Sequence, residues 1–429
     1  MSNEQNKSER RTFLKAAGAT VAAGFPGIIS AQTVTNAIKV GLVGCGGRGS
    51  GAASQALAAD DYAELTAVAD IDQAPIDRCL GSLKRITKTA GRVKVESGSQ
   101  YVGLDGFQKV IDSKVDVVLL ATPPGFRPQH LAAVIAANKH VFCEKPCGTD
   151  APGVRSVLAS TESAAQKKLS LMSGFCWRYN NMIQDTFQQI ENGAIGRLVA
   201  YYATYYTSPV KPIPPASTRP AGMSDVEWQI RNWYNFVWLC GDSLVEQAVH
   251  SADKIAWAMH DEPPTSCVGV GGRTIPAEGG NIYDHFEVNY IYPNGVRAFL
   301  ANRQMVGTYN ENSDYILGTD GACTIGRGPT PRIEGKTAWT FSGQQYNMYQ
   351  KEHDVLFAAI RKDEPVNNGK RLATSTMLAI MGRMAAYTGQ QITWDQALNS
   401  QEKLVPDPVD WKGSLEVKPR AEPGITKFF

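Results

Sequence analysis

Ile38-Lys39-Val40-Gly41-Leu42-Val43-Gly44-Cys45-Gly46-Gly47-Arg48-Gly49 reads as an apolar strand running into a glycine-rich turn. Gly44, Gly46 and Gly49 give the spacing G-x-G-x-x-G, and the small residues of 50–57 suit a helix lying close against that strand. With 40 glycines in the chain, the spacing alone is weak. The setting gives it weight, because a strand–turn–helix aims backbone amides and a helix N-terminus at one point and so can cradle a pyrophosphate. Further on, the apolar run 65–69 ends in Asp70. A carboxylate there accepts hydrogen bonds from the adenosine ribose hydroxyls and repels a 2′-phosphate. No arginine directly follows it, so NAD is expected and NADP less so.

Working outward, short apolar runs at 38–43, 65–69, 115–121, 139–142 and 168–172 alternate with helical stretches. Near-continuous apolar strands between helices mean a parallel sheet covered on both faces. The second half differs: 199–206, 267–271, 286–292 and 296–302 are strand candidates, and Pro293-Asn294-Gly295 reads as a hairpin turn. Helices are expected at 243–259 and 374–387, and an ordered proline-rich loop at 209–223. The fold class expected is α/β: a doubly wound Rossmann sheet at 37–160, then an α+β substrate and oligomerisation domain with a large, mostly antiparallel open sheet at 161–405. The stretch 406–429 is Pro-rich and is expected to wrap as an extended tail over a surface or a partner subunit.

The N-terminus is different in kind. Arg10-Arg11-Thr12-Phe13-Leu14-Lys15 precedes an Ala/Gly-rich apolar run to Ile29, too short and too rich in glycine to span a membrane. The paired arginines point to a twin-arginine signal at 1–31, although Glu9 stands where Ser or Thr is usual. That route exports folded protein, so a periplasmic location is expected. Setting aside the leader's Lys7, Arg10, Arg11, Lys15, Glu4 and Glu9 leaves 39 basic and 39 acidic residues from the 43 and 41 of the whole chain. No global field then steers the remainder to nucleic acid or to an anionic membrane. The eight cysteines lack metal-site spacing and read as small buried residues; no metal is expected.

Two further segments carry chemistry. Thr122-Pro123-Pro124, with His130 beyond, follows the strand ending at Ala121; His140-Val141-Phe142-Cys143-Glu144-Lys145-Pro146 comes next. With the glycine turn, these resemble the glucose–fructose oxidoreductase and inositol dehydrogenase (Gfo/Idh/MocA) family, whose most characteristic mark is Glu-Lys-Pro after the fifth strand. The resemblance continues through 174–179, 192–196 and 383–394. It implies an oxidoreductase acting on a carbohydrate or cyclitol hydroxyl, with Thr122, Pro123, His130, Glu144, Lys145 and Arg178 beside the cofactor together with Gly44 to Gly49 and Asp70. It often brings a cis bond before Pro146, and a homodimer or homotetramer.

Lys145 would sit at the carboxyl end of a parallel strand, where ligands of open α/β sheets bind. An ammonium there can stabilise the alkoxide that develops as hydride leaves. The other half of the site is expected in Leu244-Val245-Glu246-Gln247-Ala248-Val249-His250-Ser251-Ala252-Asp253, where 246, 250 and 253 share a helix face. His250 matches the family's catalytic histidine, and Glu246 stands where Asp is usual. Lys145, His250 and Glu246 are the catalytic candidates. The resemblance places Tyr179, Tyr283 and His285 near the substrate, alongside those three.

Three functions stay open at this point. One is oxidation or reduction of a sugar, cyclitol or sugar acid with NAD as co-substrate. Another is a redox-neutral glycosidase that keeps its NAD and returns the hydride, which suits an exported protein because free NAD is scarce outside the cytoplasm. The third is a non-catalytic sugar-binding protein using the fold alone.

Overall fold

The structure, a computed structural model, describes residues 36–276 and 278–428, so the leader at 1–31 lies outside the described residues. Val40, Leu42 and all of Val117–Leu120 are fully buried, which places them in the middle of a sheet covered on both faces. The first half runs β1 (Ile38–Val43), α1 (Gly47–Ala59), β2 (Ala63–Asp70), α2 (Gln73–Leu83), β3 (Gln100–Val102) and α3 (Gly106–Asp112). It continues with β4 (Val117–Leu120), α4 (Arg127–Ala136), β5 (His140–Cys143), α5 (Ala151–Gln166) and β6 (Leu171–Ser173). The strand order is β3-β2-β1-β4-β5-β6, so winding reverses between β1 and β4. Their carboxyl ends lie side by side, with Val43 opposite Leu120, and this is the point where open α/β sheets bind ligands.

The strand expected at 168–172 is β6, which carries the parallel sheet past the 160 boundary by pairing with β5 from Val141–Leu171 to Cys143–Ser173. The edge strand β3 was not expected; three half-exposed residues give no readable pattern.

The second half opens with α6 (Asn181–Glu191), β7 (Leu198–Thr207), α7 (Asp225–Arg231), α8 (Val237–Cys240), α9 (Ser243–Glu246) and α10 (Val249–Ala258). Then follow β8 (Ser266–Gly272), β9 (His285–Ile291), β10 (Arg297–Gln304), β11 (Glu311–Gly318), β12 (Gly321–Ile325), β13 (Arg332–Gly335) and β14 (Trp339–Thr340). The last elements are α11 (Met348–Lys362), α12 (Gly369–Thr388), β15 (Ile392–Thr393) and α13 (Trp394–Asn399). The nine strands lie in the order β14-β13-β12-β11-β7-β10-β9-β8-β15. Every pairing is antiparallel except β7 with β10. The expected turn between β9 and β10 is present, with Gly295 at φ +82°. One face of the sheet packs Tyr201, Tyr290, Val288 and Leu300 into a core shared with α10 and α12.

The helix expected over 243–259 is two pieces. Gln247 and Ala248 both donate backbone N–H to the Ser243 carbonyl, and the wide turn resets the helical phase before His250. Glu246 and Asp253 therefore serve different sides. β11 was missed because its buried positions include Ser313 and Asp314, so polar and apolar do not alternate as a strand reading needs. Asp314 is instead paired with buried Lys254. The helix α11 was missed for the same reason, since Glu352 and His353 lie on its buried face. It crosses back onto the first half, where Arg361 grips Asp60 at 2.7 Å and Gln350 reaches the Gln55 carbonyl at 3.0 Å. The tail wraps its own chain: Val409, Trp411, Leu415 and Val417 pack against a cluster holding Val226, Ile230 and Trp238.

Candidate active site

The glycine turn is built as its sequence demands. Gly44 sits at φ +96°, and a Cβ there would lie 2.7 Å from the Ala121 carbonyl oxygen. A Cβ on Gly49 would come within 1.8 Å of the Gly44 oxygen, so strand and helix approach too closely for any side chain. Gly46 and Gly47 face open space, and no side chain caps the first amides of α1. Uncapped helix amides beside a turn with room at Gly46 and Gly47 fit an anionic group such as a pyrophosphate. Asp70 accepts from the Cys45 N–H at 2.7 Å and the Ile71 N–H at 2.8 Å. Burial raises its pKa above the usual carboxylate value, and those backbone donors pull against the rise.

Gly44, Gly46, Asp70, Thr122, Pro123 and His130 line one cavity of about 440 Å³. His130 is stacked between Phe107, 4.1 Å away by centroid, and Phe126, and its Nδ1 lies 3.2 Å from Thr122 Oγ1. Burial, with Arg127 adding to it, holds the imidazole down to about 3. The cavity's other wall comes from the second half: Lys211, Ile230, Arg231 and Trp233. Sequence reading missed this wall. It also missed that Arg78 and Arg231 line the same cavity as Asp70, since neither directly follows Asp70 in the chain.

Cys45, Gly47, Arg48, Gly49 and Glu144 shape the loop from behind. Arg48 bonds to Glu144 and, at 2.8 Å, to Glu352, with its guanidinium 5.2 Å from the Tyr349 ring. Glu352 is fully buried, and burial, with Glu144 nearby and Arg48 opposing, pushes its carboxyl well above the usual range. Glu144 accepts the Lys145 N–H at 3.1 Å, and a Cβ on Gly174 would fall 2.8 Å from the Glu144 carboxyl carbon. The Lys145–Pro146 bond is cis, and Arg127 donates to the Pro146 carbonyl at 2.6 Å.

Two of the expected catalytic groups, Lys145 and Glu246, meet. Lys145 Nζ donates to the Glu246 main-chain oxygen at 2.6 Å and to its carboxylate at 3.4 Å. The other Glu246 oxygen accepts from Gln247 Nε2, and Gln247 Oε1 accepts from the Tyr205 hydroxyl at 3.2 Å. Burial and then Glu246 raise the Tyr205 phenol; the same two causes raise Tyr234. His250 is half-buried, with Nδ1 lacking a partner and its ring edge-on to Phe175. Burial lowers its pKa well below the ordinary value, and the charges of Lys145, Lys254 and Arg48 add to this. It stands neutral, a proton acceptor. Tyr205, Gln247 and Tyr234 were not foreseen; an inward tyrosine near the carboxyl end of β7 was the available signal.

Three expected residues make their contacts elsewhere. Arg178 is taken up by Asp253 at 2.9 Å and Asp261 at 2.6 Å, does not line the cofactor cavity, and lies 4.9 Å from the Trp257 ring. Asp253 also accepts from Ser375 Oγ at 2.8 Å, so its face of α10 is structural. Tyr179 bonds to Met172 Sδ and Asn368, not to the catalytic groups. His285 pairs with Asp284 at 2.8 Å on a side chain 40% exposed. Tyr283 is closer to expectation. Its ring lines a second cavity of about 450 Å³ together with Tyr234 and Lys211, while its hydroxyl donates to the Ala421 carbonyl at 2.7 Å. Lys211 is common to both cavities, so they adjoin.

Among the described residues no group of three or more His, Cys, Asp or Glu is placed to hold a metal, and no helix is long and apolar enough to cross a membrane. All eight cysteines are buried and free.

Residues 38–175 match the model of the Gfo/Idh/MocA oxidoreductase family, NAD-binding Rossmann fold. The chain is 25% identical over 291 residues to an inositol 2-dehydrogenase of Rubrobacter xylanophilus, covering 67% of this chain and 71% of that protein. It is 28% identical over 178 residues to a dTDP-3,4-didehydro-2,6-dideoxy-alpha-D-glucose 3-reductase of Actinomadura kijaniata, covering 41% of this chain and 48% of that one. Its fold is similar to the WlbA dehydrogenase of Bordetella pertussis, solved in complex with NADH and UDP-GlcNAcA, with TM-score 0.63, 22% identity, and 83% and 99% of the two chains covered.

Proposed function

Starting from an NAD-binding oxidoreductase of the Gfo/Idh/MocA type, we propose that this chain moves hydride at a hydroxyl-bearing carbon of a carbohydrate or cyclitol. The observation that carries this is the buried Lys145–Glu246 pair, whose lysine charge is also felt by the neutral His250 ring. When bound, NAD supplies the hydride acceptor. An ammonium has three donors; Glu246 takes two from Lys145, and the third is left for a substrate oxygen, where it stabilises the developing alkoxide. The neutral His250 imidazole receives the hydroxyl proton. Glu246 is one methylene longer than Asp, and that reach lets it hold Lys145 and Gln247 together.

The second cavity supports a sugar-sized ligand. Its volume is in the range of small-molecule pockets. Its lining includes the polar side chains of Gln304 and Tyr234. The test is NADH formation from NAD with a panel of cyclitols and sugars, repeated with Lys145→Ala and His250→Ala. Undiminished turnover in both variants removes the site.

A second reading has an observation of its own. Lys211, Ile230, Arg231 and Trp233 cover the cofactor cavity from the second half, which favours retained NAD and redox-neutral cleavage of a glycoside. The leader with Arg10-Arg11 favours it too, because a folded-state export route allows NAD to be loaded first. Sugar release with NAD retained through gel filtration and no net NADH supports it; exchange with added NAD and stoichiometric NADH ends it.

Export and assembly belong to the same proposal. A reporter fused behind residues 1–31 should reach the periplasm, and Arg10→Lys with Arg11→Lys should stop it; transport by the doubly substituted leader refutes twin-arginine export. The sheet's outer face exposes Val268, Val270 and Leu317, with Val270 67% exposed, which supports a homodimer or homotetramer. A monomeric mass by light scattering rules that out.

A further inference from the structure

We propose that residues 402–424 are a strap that sets how fast a dinucleotide leaves the chain, acting through α7; this rests on the NAD-binding reading above. The cavity beside Asp70 has a floor from the first half and a roof from the second, and Ile230 and Arg231 of α7 are part of that roof. Arg231 spans the two halves, donating Nη2 to Asp72 Oδ1 at 2.8 Å and Nη1 to Oδ2. Lys211 donates to the Arg231 carbonyl at 2.7 Å and so closes the helix end beside Trp233.

A helix of seven residues has no stability of its own, so what it packs on sets its place. That is largely the strap. The N-cap Ser224 donates to the Trp411 carbonyl, and Asp225 accepts from Ser414 Oγ at 2.8 Å and the Leu415 N–H at 3.1 Å. Gln229 donates to the Leu415 carbonyl at 2.7 Å, and the Trp411 ring lies 5.9 Å from the Arg231 guanidinium. The strap is fixed at both ends. Upstream, Glu402 pairs with buried Arg383 at 3.0 Å and the Leu404 N–H meets Asp150 at 2.8 Å. Downstream, Ala421 accepts the Tyr283 hydroxyl and the Gly424 N–H reaches the Thr388 carbonyl at 2.9 Å. A cord tied at both ends and pressed on α7 at its middle resists the outward motion that would open the cavity. Trp411 itself does not line that cavity, so any effect of changing it passes through the roof.

The test loads the full chain with NADH and follows loss of its fluorescence on mixing with excess NAD. Trp411→Ala should release NADH about tenfold faster, from loss of the aromatic face and its packing. Trp411→Phe keeps that face and should release close to the parent rate. Arg178→Ala, which weakens the fold away from the roof, should lower Tm without speeding release. If Trp411→Ala does not fold, Asp225→Asn, on a partly exposed side chain, cuts the same tether and should also speed release. A folded Trp411→Ala or Asp225→Asn that releases at the parent rate overturns the strap while leaving NAD binding intact. A parent chain that holds no NADH overturns both.

Discussion

Lys145 and Glu246, 101 residues apart in sequence, are joined twice: Nζ meets both the main-chain oxygen and the carboxylate of the glutamate. The side chains are 10% and 7% exposed, so the pair is nearly dry. An ammonium held by a carbonyl and a carboxylate keeps its position when substrate arrives. Replacing Lys145 by alanine should lower kcat by about 10² to 10⁴ while NADH still binds, since Lys145 does not line the adenosine-side cavity. Single-turnover kinetics with a separate NADH titration distinguish the two effects; equal losses of both would assign Lys145 to cofactor binding.

The four glycines of the loop should respond differently. Gly49→Ala drives a Cβ into the Gly44 oxygen and should cost on the order of 1–3 kcal/mol or more of stability. Gly46 has φ −66° and open space around it, so Gly46→Ala should fold with an unchanged Tm. Its methyl group enters the cradle, and NADH affinity should fall by roughly tenfold. Calorimetry and an NADH titration on both variants check the contrast, and full affinity in Gly46→Ala would remove the cradle.

His130 makes folding sensitive to acid. The unfolded chain takes up this proton near 6.5 and the folded chain at about 3, so stability contributed by the neutral ring is lost as pH falls through that window. At pH 5 the cost is about 2 kcal/mol. His130→Gln should therefore lose less stability than the parent between pH 7.5 and pH 5 in urea titrations. Parallel losses would show that the ring is charged in the folded chain.

Arg178 should prove structural. Removing it leaves Asp253, fully buried, without its cation, and Arg178→Ala should cost about 3–5 kcal/mol. NADH affinity measured below the new Tm should match the parent. A selective loss of affinity would return Arg178 to the cofactor site.

The parallel sheet was legible because residues 40–43 and Val117–Leu120 are buried on both faces, and nothing but apolar residues satisfies that environment. The glycine loop was legible because Gly44 and Gly49 have steric reasons to be glycine, and such reasons leave a spacing in the sequence. Where polar groups are buried as pairs, the pattern is erased. Asp314 with Lys254 hid β11, and Glu352 with Arg48 hid α11. The helix through Glu246 and His250 was read as continuous because the wide turn at Gln247 and Ala248 carries no glycine or proline to announce it. Arg231 was beyond reach for another reason. It meets Asp72 across 159 residues, and no local spacing records a contact between halves of a chain.

The position of Trp411 in the chain also fixes an order of events. Asp70 and the glycine loop leave the ribosome well before the segment that clasps α7, which follows both walls of the cavity in the chain. On the strap proposal, a nascent chain presents an open nucleotide seat until residues 402–424 have emerged to pin the roof. A chain stalled after residue 400 should exchange NADH freely, and the released protein slowly; equal exchange from both would mean that the seat closes without the strap. On that proposal, loading the cofactor and keeping it become successive stages of translation.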